Sequence, residues 1–235
     1  MMRARLVLAY ACSVLLACYL GDSPPLPTLA MSGAPPLRRL SVREVSSTYA
    51  ELTGDVVTAD DFLSEAIPLG FDNGPDLLMM QTDQAARFEE VAWRVATSVT
   101  ARREPKVLAG CDGAACREAL VGFAARAYRR PLHGGEVSRL RALWEATSAT
   151  SSADATLETV LAAIFQSPSF LYREEIGAMS AGVRQLGPYE IASELSYFVT
   201  GNPPDDALLA MAASGEISSR FARRREAERL LATPA

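Results

Sequence analysis

Two cysteines, Cys111 and Cys116, are the first pair in this sequence whose spacing suggests chemistry. They form a C-x4-C pattern at the start of a helical stretch. In a protein that leaves the cytoplasm, this spacing favours a disulfide that closes a small loop. The competing interpretation is two free thiols, with Cys116 packed in the core. Covalent haem attachment would need C-x-x-C-H, and a zinc site would have only His133 to add to the thiols.

A third cysteine, Cys18, is the candidate for lipid attachment. Arg3 and Arg5 precede an uninterrupted run of apolar and small residues, 6–17. That run is too short to cross a bilayer of ~30 Å, which needs about 20 residues, and it is typical of a signal-peptide hydrophobic region. Its end, LLAC, resembles the bacterial lipobox, and by that resemblance Cys18 becomes the lipidated first residue of the mature protein. The alternative is an ordinary secretory signal with a chance cysteine.

Three arginines near the end of one helical stretch have the chemistry to bind a phosphate or a carboxylate bidentately. They are Arg126, Arg129 and Arg130. We favour a simpler interpretation, in which these arginines pair with nearby acidic side chains and solvate the end of a helix. The expected partners are Glu136, Glu174 and Glu175.

Two groups of acidic residues are weaker candidates. Asp72, Asn73 and Asp76 offer oxygen ligands for Ca²⁺, but the full calcium-loop pattern is absent and a turn is favoured. Asp205 and Asp206 follow a proline at the start of a helix, where carboxylates complement the helix dipole.

Composition narrows the function classes. The chain has 235 residues and a formal net charge of −5, which argues against a general nucleic-acid binder. Its single histidine, His133, nearly excludes multi-histidine metal sites. The Walker A, G-x-S-x-G, H-E-x-x-H and Rossmann patterns are all missing. We therefore expect no cofactor, no metal and no nucleic-acid partner, and no residue is identified as catalytic.

The elements that must position these residues are helices. Apolar residues recur at helical spacing in several stretches, and the clearest stripe is Leu157, Val160, Leu161, Ile164 and Phe165. No alternating run is long enough for a sheet. The pattern predicts an all-α fold made of small helical units in series, with the last unit incomplete.

Helix ends are marked by capping residues. Ser41 and Glu44 form a capping box, with Leu40 and Val45 as the hydrophobic staple, and Gly54 ends that helix.

Three later boundaries are also predicted. Thr82 is expected to cap a longer helix, residues 102–110 to form a linker, and residues 116–130 to form a helix that Pro131 stops. A further helix opens at Pro188.

Two apolar faces are predicted from the same periodicity. Phe123 and Ile164 should be buried in one cluster with Leu120, Leu161 and Phe170. The helix that opens at residue 188 should bury Ile191, Leu195, Phe198 and Val199.

Several phrases, taken in order, resemble a known bacterial family. RRLSVRE at 38–44 and GFDN at 70–73 are similar to the first small domain of a secreted multi-domain family. FAARAYRRPL at 123–132 and SPSFLYR at 167–173 resemble its second domain. PYEIASELSYFVTGNPPDDALLAMA at 188–212 resembles the start of its third. These are consecutive domains of unknown function, sometimes fused to planctomycete-type cytochrome c domains, and the resemblance implies no established activity.

The resemblance and the composition together suggest a domain organisation. We expect a lipoprotein-type signal peptide over 1–18, a flexible tether over 19–36, an N-terminal helical domain over 37–102, a central helical domain over 111–177 and the start of a third over 184–235. Family members usually continue through more domains, so the chain resembles a truncated member.

Two functional hypotheses follow. One is an exported lipoprotein anchored to the cell envelope, on its periplasmic or outer-surface face, whose helical modules bind or scaffold a larger secreted or redox-associated system. Its partners would be the membrane, through the lipid, and other envelope or cytochrome-type proteins. The other is a fragment of an extracellular enzyme whose active site needs further C-terminal domains.

Overall fold

The computed structural model describes residues 38–65, 78, 80–113, 115–180 and 182–232. The predicted signal peptide, Cys18, the tether and the acidic turn with Asp72, Asn73 and Asp76 lie outside these residues. Below, the first segment is 38–102, the second is 111–177 and the third is 184–232.

Within the described residues the fold is helical, which confirms the predicted all-α class. The first segment contains α1 (Val42–Thr53) and α2 (Thr82–Arg102), and α3 (Pro105–Leu108) connects it to the second. The second contains α4 (Ala115–Ala127), α5 (Gly134–Ser148), α6 (Ala153–Gln166) and α7 (Pro168–Leu171). The third contains α8 (Pro188–Thr200), α9 (Asp206–Ser214) and α10 (Arg220–Ala232). Short 3-10 turns occupy Ala59–Asp61 and Glu216–Ser218.

Two small antiparallel pairs of strands accompany the helices. β1 (Arg38–Arg39) pairs with β2 (Tyr172–Arg173), and so connects the start of the first segment to the end of the second. β3 (Ala178–Ser180) and β4 (Val183–Gln185) form an exposed hairpin before α8. Both pairs are too short to show as alternation in the sequence.

The capping box of α1 is confirmed. The backbone N–H of Glu44 donates to the Ser41 hydroxyl, and the N–H of Ser41 donates to the Glu44 carboxylate at 2.9 Å. Leu40 and Val45 are fully buried. Gly54 ends the helix at a φ of 73°, a conformation that glycine adopts without strain.

The first two segments share one hydrophobic core. The most extensive contact between helices joins α2 to α6. The predicted cluster is confirmed, because Leu120, Phe123, Leu161, Ile164 and Phe170 are all buried in this core.

Aromatic rings occupy the middle of the core. The Phe165 ring lies 5.1 Å from that of Tyr49, 5.4 Å from that of Phe170 and 5.9 Å from that of Phe123, measured between centroids. Tilted and edge-on aromatic pairs at such distances are favourable beyond their buried area.

Three boundary predictions were wrong in detail. Gln81, not Thr82, is the N-cap of α2, and the predicted linker contains the short helix α3, which begins at Pro105. Helix α4 ends at Ala127 rather than at residue 130. Its early end has a local cause, because Arg129 takes a left-handed conformation with φ of 60°.

The third segment has a small apolar cluster of its own. Its buried members are Ala192, Leu208, Ala212, Ile217 and Leu230. Helix α8 does begin at Pro188, but its predicted buried face was wrong at Phe198, whose exposed fraction is 81%. The helix is rotated so that Tyr197 packs into the main core instead, because polar groups of the first two segments hold that ring.

Candidate functional site

The arginine-rich phrases of the sequence meet in one place, which we call the arginine junction. It comprises Arg38, Arg39, Arg129 and Arg173 with the groups that these four contact. In the ladder of β1 and β2, Arg38 lies opposite Arg173. Arg39, Arg129 and Arg173 are almost completely buried. Buried cations need opposite charges or several hydrogen-bond acceptors, and each of these arginines has a different set.

Arg129 fastens the turn after α4 to the SPSFLYR phrase. Its Nη1 donates to the carbonyl oxygens of Ala127 and Phe170, both at 3.1 Å. Its Nη2 donates to the carbonyl oxygens of Ser169 at 3.0 Å and Tyr172 at 2.8 Å. All four of these acceptors are backbone carbonyl oxygens, and none is a carboxylate.

Arg130 is held by carboxylates, as the favoured sequence interpretation expected. It donates to both carboxylate oxygens of Glu136, at 2.9 and 3.0 Å, and to both of Glu174, at 2.9 and 2.7 Å. Hydrogen bonds from Arg130 are the main reason that the pKa of Glu136 falls to about 2. The backbone N–H of His133 adds another donor to Glu136 at 2.8 Å and closes the capping box of α5.

Arg39 connects β1 to α2 and to the residues between α1 and α2. Its Nη2 lies 2.5 Å from a carboxylate oxygen of Glu65, and its Nε donates to the carbonyl oxygen of Leu78 at 3.1 Å. Its Cζ lies 5.0 Å from the centroid of the Phe88 ring, within cation–π range. This side chain is therefore a structural tie between separated parts of the first segment.

Arg173 lies at the centre of a group of carboxylates. Its Nη1 lies 3.5 Å from Oε1 of Glu44, and its Nη2 lies 3.4 Å from Oε1 of Glu175 and 3.1 Å from Oε2 of Glu194. Glu44 also contacts Arg38 at 3.5 Å. Glu175 was expected to pair with one of the three arginines Arg126, Arg129 and Arg130, but it contacts Arg173, which lies two residues before it at the end of β2. The three segments each contribute one carboxylate to this group.

Glu175 and Glu194 are the part of the junction with acid–base chemistry. Within the described part of the chain, Oε1 of Glu175 and Oε2 of Glu194 are buried and accept no hydrogen bond from an N–H or O–H donor. Burial, followed by the neighbouring Glu194, raises the pKa of Glu175 to about 7, against the attraction of Arg173 and Arg38. A carboxyl group of this kind can hold or release a proton near neutral pH.

Tyr197 attaches α8 to the junction. The Cζ atoms of Arg129 and Arg173 lie 5.8 and 5.6 Å from the centroid of its ring. Its hydroxyl group shares a hydrogen bond of 2.8 Å with that of Thr48. Burial raises the pKa of Tyr197, so the hydroxyl stays protonated. Tyr197, a residue of the third segment, therefore contacts Thr48 of the first segment and Arg129 and Arg173 of the second.

The two cysteines lie at disulfide distance. The sulfur atoms of Cys111 and Cys116 face each other at the start of α4, and both residues pack against the main core. His133, the residue that a zinc site would have needed, is instead the N-cap of α5. Among the described residues, no group of three or more His, Cys, Asp or Glu side chains is placed to hold a metal ion.

The remaining candidates have local partners. Arg126 donates to the carbonyl oxygen of Lys106 at 3.3 Å. Asp205 caps α9 and pairs with Arg229 at 2.8 Å. Burial opposes ionisation of Asp205, but the bonds from Arg229 and from the Leu208 N–H outweigh it and lower the pKa of Asp205. Carboxylates at this helix start are confirmed as capping and dipole-compensating groups.

A cleft of about 780 Å³ lies at the C-terminal end of α8. Its walls come from α1, α4, α8, α9, α10 and the loop 201–205, so all three segments contribute to it. Its charged lining residues are Glu51, Arg126, Asp205 and Asp206. Glu175 and Glu194 do not line this cleft. The volume is in the range of small-ligand pockets, but the carboxyl group that titrates near neutral pH lies elsewhere.

Sequence reasoning missed the burial of Arg39 and Arg173 and the Glu175–Glu194 pair. It singled out Arg129 but expected it to pair with acidic side chains, and Arg129 instead donates to backbone carbonyls. A signal was present for Arg39 and Arg173, because both arginines are next to apolar residues in the sequence. Arg39 precedes Leu40, and Arg173 follows the stretch Phe170–Tyr172. A charged residue inside such a phrase is either a local exit to solvent or a buried ion. Only the pairing of β1 with β2 decides between the two.

Three protein-family models match successive parts of the chain. PSD3, protein of unknown function (DUF1587), matches residues 38–101. PSD5, protein of unknown function (DUF1595), matches 115–175, and PSD4, protein of unknown function (DUF1592), matches 186–235. No curated protein and no solved structure matches the chain. None of the described helices is long and apolar enough to cross a membrane.

These three models coincide with the phrases that meet at the arginine junction. RRLSVRE lies in the first matched range, RAYRRPL and SPSFLYR lie in the second, and the α8 phrase lies in the third. The chain therefore belongs to the planctomycete-type multi-domain family in which these three domains of unknown function follow one another.

Proposed function

We propose that the chain is an exported lipoprotein of the cell envelope whose helical segments form a non-catalytic binding or scaffolding module. The anchor rests on Arg3, Arg5, the apolar run 6–17 and the LLAC phrase that ends at Cys18. The following tether, residues 19–36, would hold the folded part away from the membrane. The two sulfur atoms at disulfide distance support an oxidising compartment.

The observation that carries the non-catalytic assignment is the use of the charged groups. Arg39, Arg129 and Arg173 are buried and contact groups of the same chain, and together they tie the three segments into one body. These arginines lie in the phrases RRLSVRE, FAARAYRRPL and SPSFLYR, so the contacts of these phrases are contacts within the fold. Arg39 and Arg129 are buried and hydrogen-bonded within the chain. Nη2 of Arg173 has no hydrogen-bond partner among the described residues, but it is buried against Glu175 and Glu194. Groups buried in this way do not contact a substrate.

The cleft is the surface that we assign to a partner. It has apolar walls from Leu52, Leu209 and Leu231 and an acidic rim that includes Glu51 and Asp206. Interfaces combine an apolar centre with a polar rim in this way. A protein segment with apolar and basic side chains matches this lining best.

The enzyme alternative draws on one feature, the Glu175–Glu194 pair. Paired carboxylates carry out glycoside hydrolysis when they face each other across a substrate. Here both contact the same nitrogen of Arg173, at 3.4 and 3.1 Å, and neither lines the cleft. This geometry favours a structural ion-pair role for the two carboxylates over a catalytic role in hydrolysing a polymer.

The anchor is tested by processing in a Gram-negative host. Globomycin, which blocks lipoprotein signal peptidase, should accumulate the precursor of the wild type, and Cys18→Ser should abolish membrane attachment. Cys12→Ser is the matched control, because Cys12 lies within the segment that is removed, and it should behave as the wild type. Unchanged processing with globomycin, together with equal solubility of wild type and Cys18→Ser, would contradict the proposal.

The binding role is tested by photo-crosslinking in the native envelope. A benzophenone amino acid at Leu231, which lines the cleft and is 72% exposed, should give one discrete adduct. The same label at Trp93, exposed on α2 and outside the lining, is the control and should give none. Equal adducts from both positions, or none from either at normal protein levels, would overturn the assignment of the cleft.

A further inference from the structure

We propose that Glu175 and Glu194 form a proton-dependent clasp that holds α8 against the end of β2. In its closed state the two carboxyl groups share one proton and contact one guanidinium nitrogen of Arg173. In its open state both are ionised, and α8 with the rest of the third segment is held less tightly. This inference does not depend on what the cleft binds.

The two carboxyl groups contact the same nitrogen atom of Arg173. Oε1 of Glu175 and Oε2 of Glu194 lie 3.4 and 3.1 Å from Nη2 of Arg173. Both oxygens are buried, and in the described part of the chain neither accepts a hydrogen bond from an N–H or O–H donor. Nη2 of Arg173 also has no hydrogen-bond partner in this part of the chain, so its contacts with the two oxygens are ion pairs without hydrogen-bond geometry. A hydrogen bond between the two carboxyl groups satisfies both oxygens, and that bond needs a proton on one of them.

A count of charges gives the same result. The group around Arg173 contains two cations, Arg38 and Arg173, and three carboxylates, Glu44, Glu175 and Glu194. Full ionisation leaves these groups, which are in direct contact, with one more negative charge than positive charges. Two of their carboxylate oxygens are themselves buried, so this excess is unfavourable. One proton on the Glu175–Glu194 pair balances the group.

Each element packed against the pair contributes to this balance. β1 supplies Arg38, β2 supplies Arg173, α1 supplies Glu44 and α8 supplies Glu194. Glu44 is already committed, because its second oxygen accepts from the Ser41 N–H at 2.9 Å. The extra proton therefore resides on the Glu175–Glu194 pair, in agreement with the raised pKa of Glu175.

Two other nearby cations are held by other groups, and the charge of Arg129 is solvated but not neutralised by its acceptors. Arg129 lies over the Tyr197 ring and donates to four backbone carbonyls, and Arg39 pairs with Glu65. The pair is also reachable by solvent, since the Glu175 and Glu194 side chains are 27% and 37% exposed. Proton exchange with the surroundings needs no unfolding.

The sign of the pH effect follows from the direction of the shift. The pKa of Glu175 is raised from 4.5 to about 7 in the folded chain. Between these values the folded state binds more protons than the opened state, so the docking of α8 weakens as pH rises through this window. Above the folded-state pKa the loss is complete.

The test is hydrogen exchange by mass spectrometry on the purified full chain, with rates corrected for the intrinsic effect of pH. Between pH 5.5 and pH 8, protection of α8 in the wild type should fall about tenfold relative to α6. Glu175→Gln carries a permanent amide donor for Glu194, so its α8 should stay protected at both pH values. Glu89→Gln, an exposed glutamate on α2, is the control and should follow the wild type.

Two outcomes would overturn the clasp. One is a wild type in which α8 and α6 keep the same ratio of protection from pH 5.5 to pH 8, and this result needs no variant. The other is a Glu175→Gln chain that shows the full wild-type pH dependence. If Glu175→Gln does not fold, Glu194→Gln provides the same comparison, and a persistent tenfold change in that variant would refute the proposal.

Discussion

The main core and the third-segment cluster differ in size and in aromatic content. The main core draws mostly on the first two segments, with Tyr197 as the one buried member from the third. The aromatic rings of Tyr49, Phe123, Phe165 and Phe170 lie at its centre. The third-segment cluster has five buried apolar residues, two of them alanines and none aromatic. Because hydrophobic stabilisation scales with the apolar area buried, the third segment has much less of its own.

The difference is offset by polar contacts at the arginine junction. Helix α8 reaches the first segment through the Tyr197–Thr48 hydrogen bond of 2.8 Å and through the Ser47 hydroxyl, which donates to the carbonyl oxygen of Gly201 at 2.6 Å. It reaches the second through Glu194 and Arg173. The third segment is thus attached by two neutral hydrogen bonds and by one ion pair, and the ion pair is the contact that depends on charge and protonation.

The largest expected effect is in the main core. Phe123→Ala should lower the free energy of unfolding by about 3–5 kcal/mol, since it removes a buried ring and leaves a cavity. Urea denaturation followed by circular dichroism measures this loss. Phe198→Ala is the matched control, because the Phe198 side chain is 81% exposed, and it should change stability by less than about 0.5 kcal/mol. A loss below ~1 kcal/mol for Phe123→Ala would mean that α4 contributes little to the core.

The core was the part of the fold that sequence could predict. Phe123, Leu161 and Ile164 recur at helical spacing, and periodicity is a local property that one helix shows by itself. The capping box at Ser41 and Glu44 was readable for the same reason.

The junction was not readable, because its partners are far apart in the chain. Arg173 meets Glu44 and Glu194 only after β1 pairs with β2 and α8 docks. Helix α8 shows the same limit. Its apolar pattern favoured burying Phe198, but Tyr197 has a hydroxyl partner and two guanidinium groups to face, and these contacts decide the rotation of the helix.

A smaller and local effect is expected in the third segment. Leu208→Ala should destabilise the third-segment cluster by about 2–4 kcal/mol, because Leu208 is fully buried there. Hydrogen exchange should rise in α9 and α10 while α2 and α6 keep their protection. The exposed Leu231, replaced by alanine, is the control. If Leu208→Ala instead lowers the main transition as much as Phe123→Ala does, the chain unfolds as one unit and the two regions are not separable.

The smallest expected effect is a pH dependence in which the second and third segments respond in opposite directions. Glu136 belongs to the second segment, and its pKa is lowered from 4.5 to about 2, mainly by hydrogen bonds from Arg130. Its contribution to stability is therefore fully present above pH 4.5 and is lost as pH falls towards 2. The Glu175–Glu194 pair acts in the opposite direction, since its contribution is lost as pH rises from 4.5 towards 7. Acid should thus weaken the second segment while the third stays docked.

Glu136→Gln isolates this acid dependence. At pH 7 the variant should be less stable by about 1–2 kcal/mol, because the charge-assisted hydrogen bonds from Arg130 to Glu136 are weakened while Arg130 keeps Glu174 as a partner. Between pH 4.5 and pH 2.5 its denaturation midpoint should fall less steeply than that of the wild type, as the group that must be protonated is gone. Glu89→Gln should keep the wild-type slope. An unchanged slope for Glu136→Gln would show that Arg130 does not hold Glu136 ionised in acid, and that the pH responses of the two regions do not oppose each other through this pair.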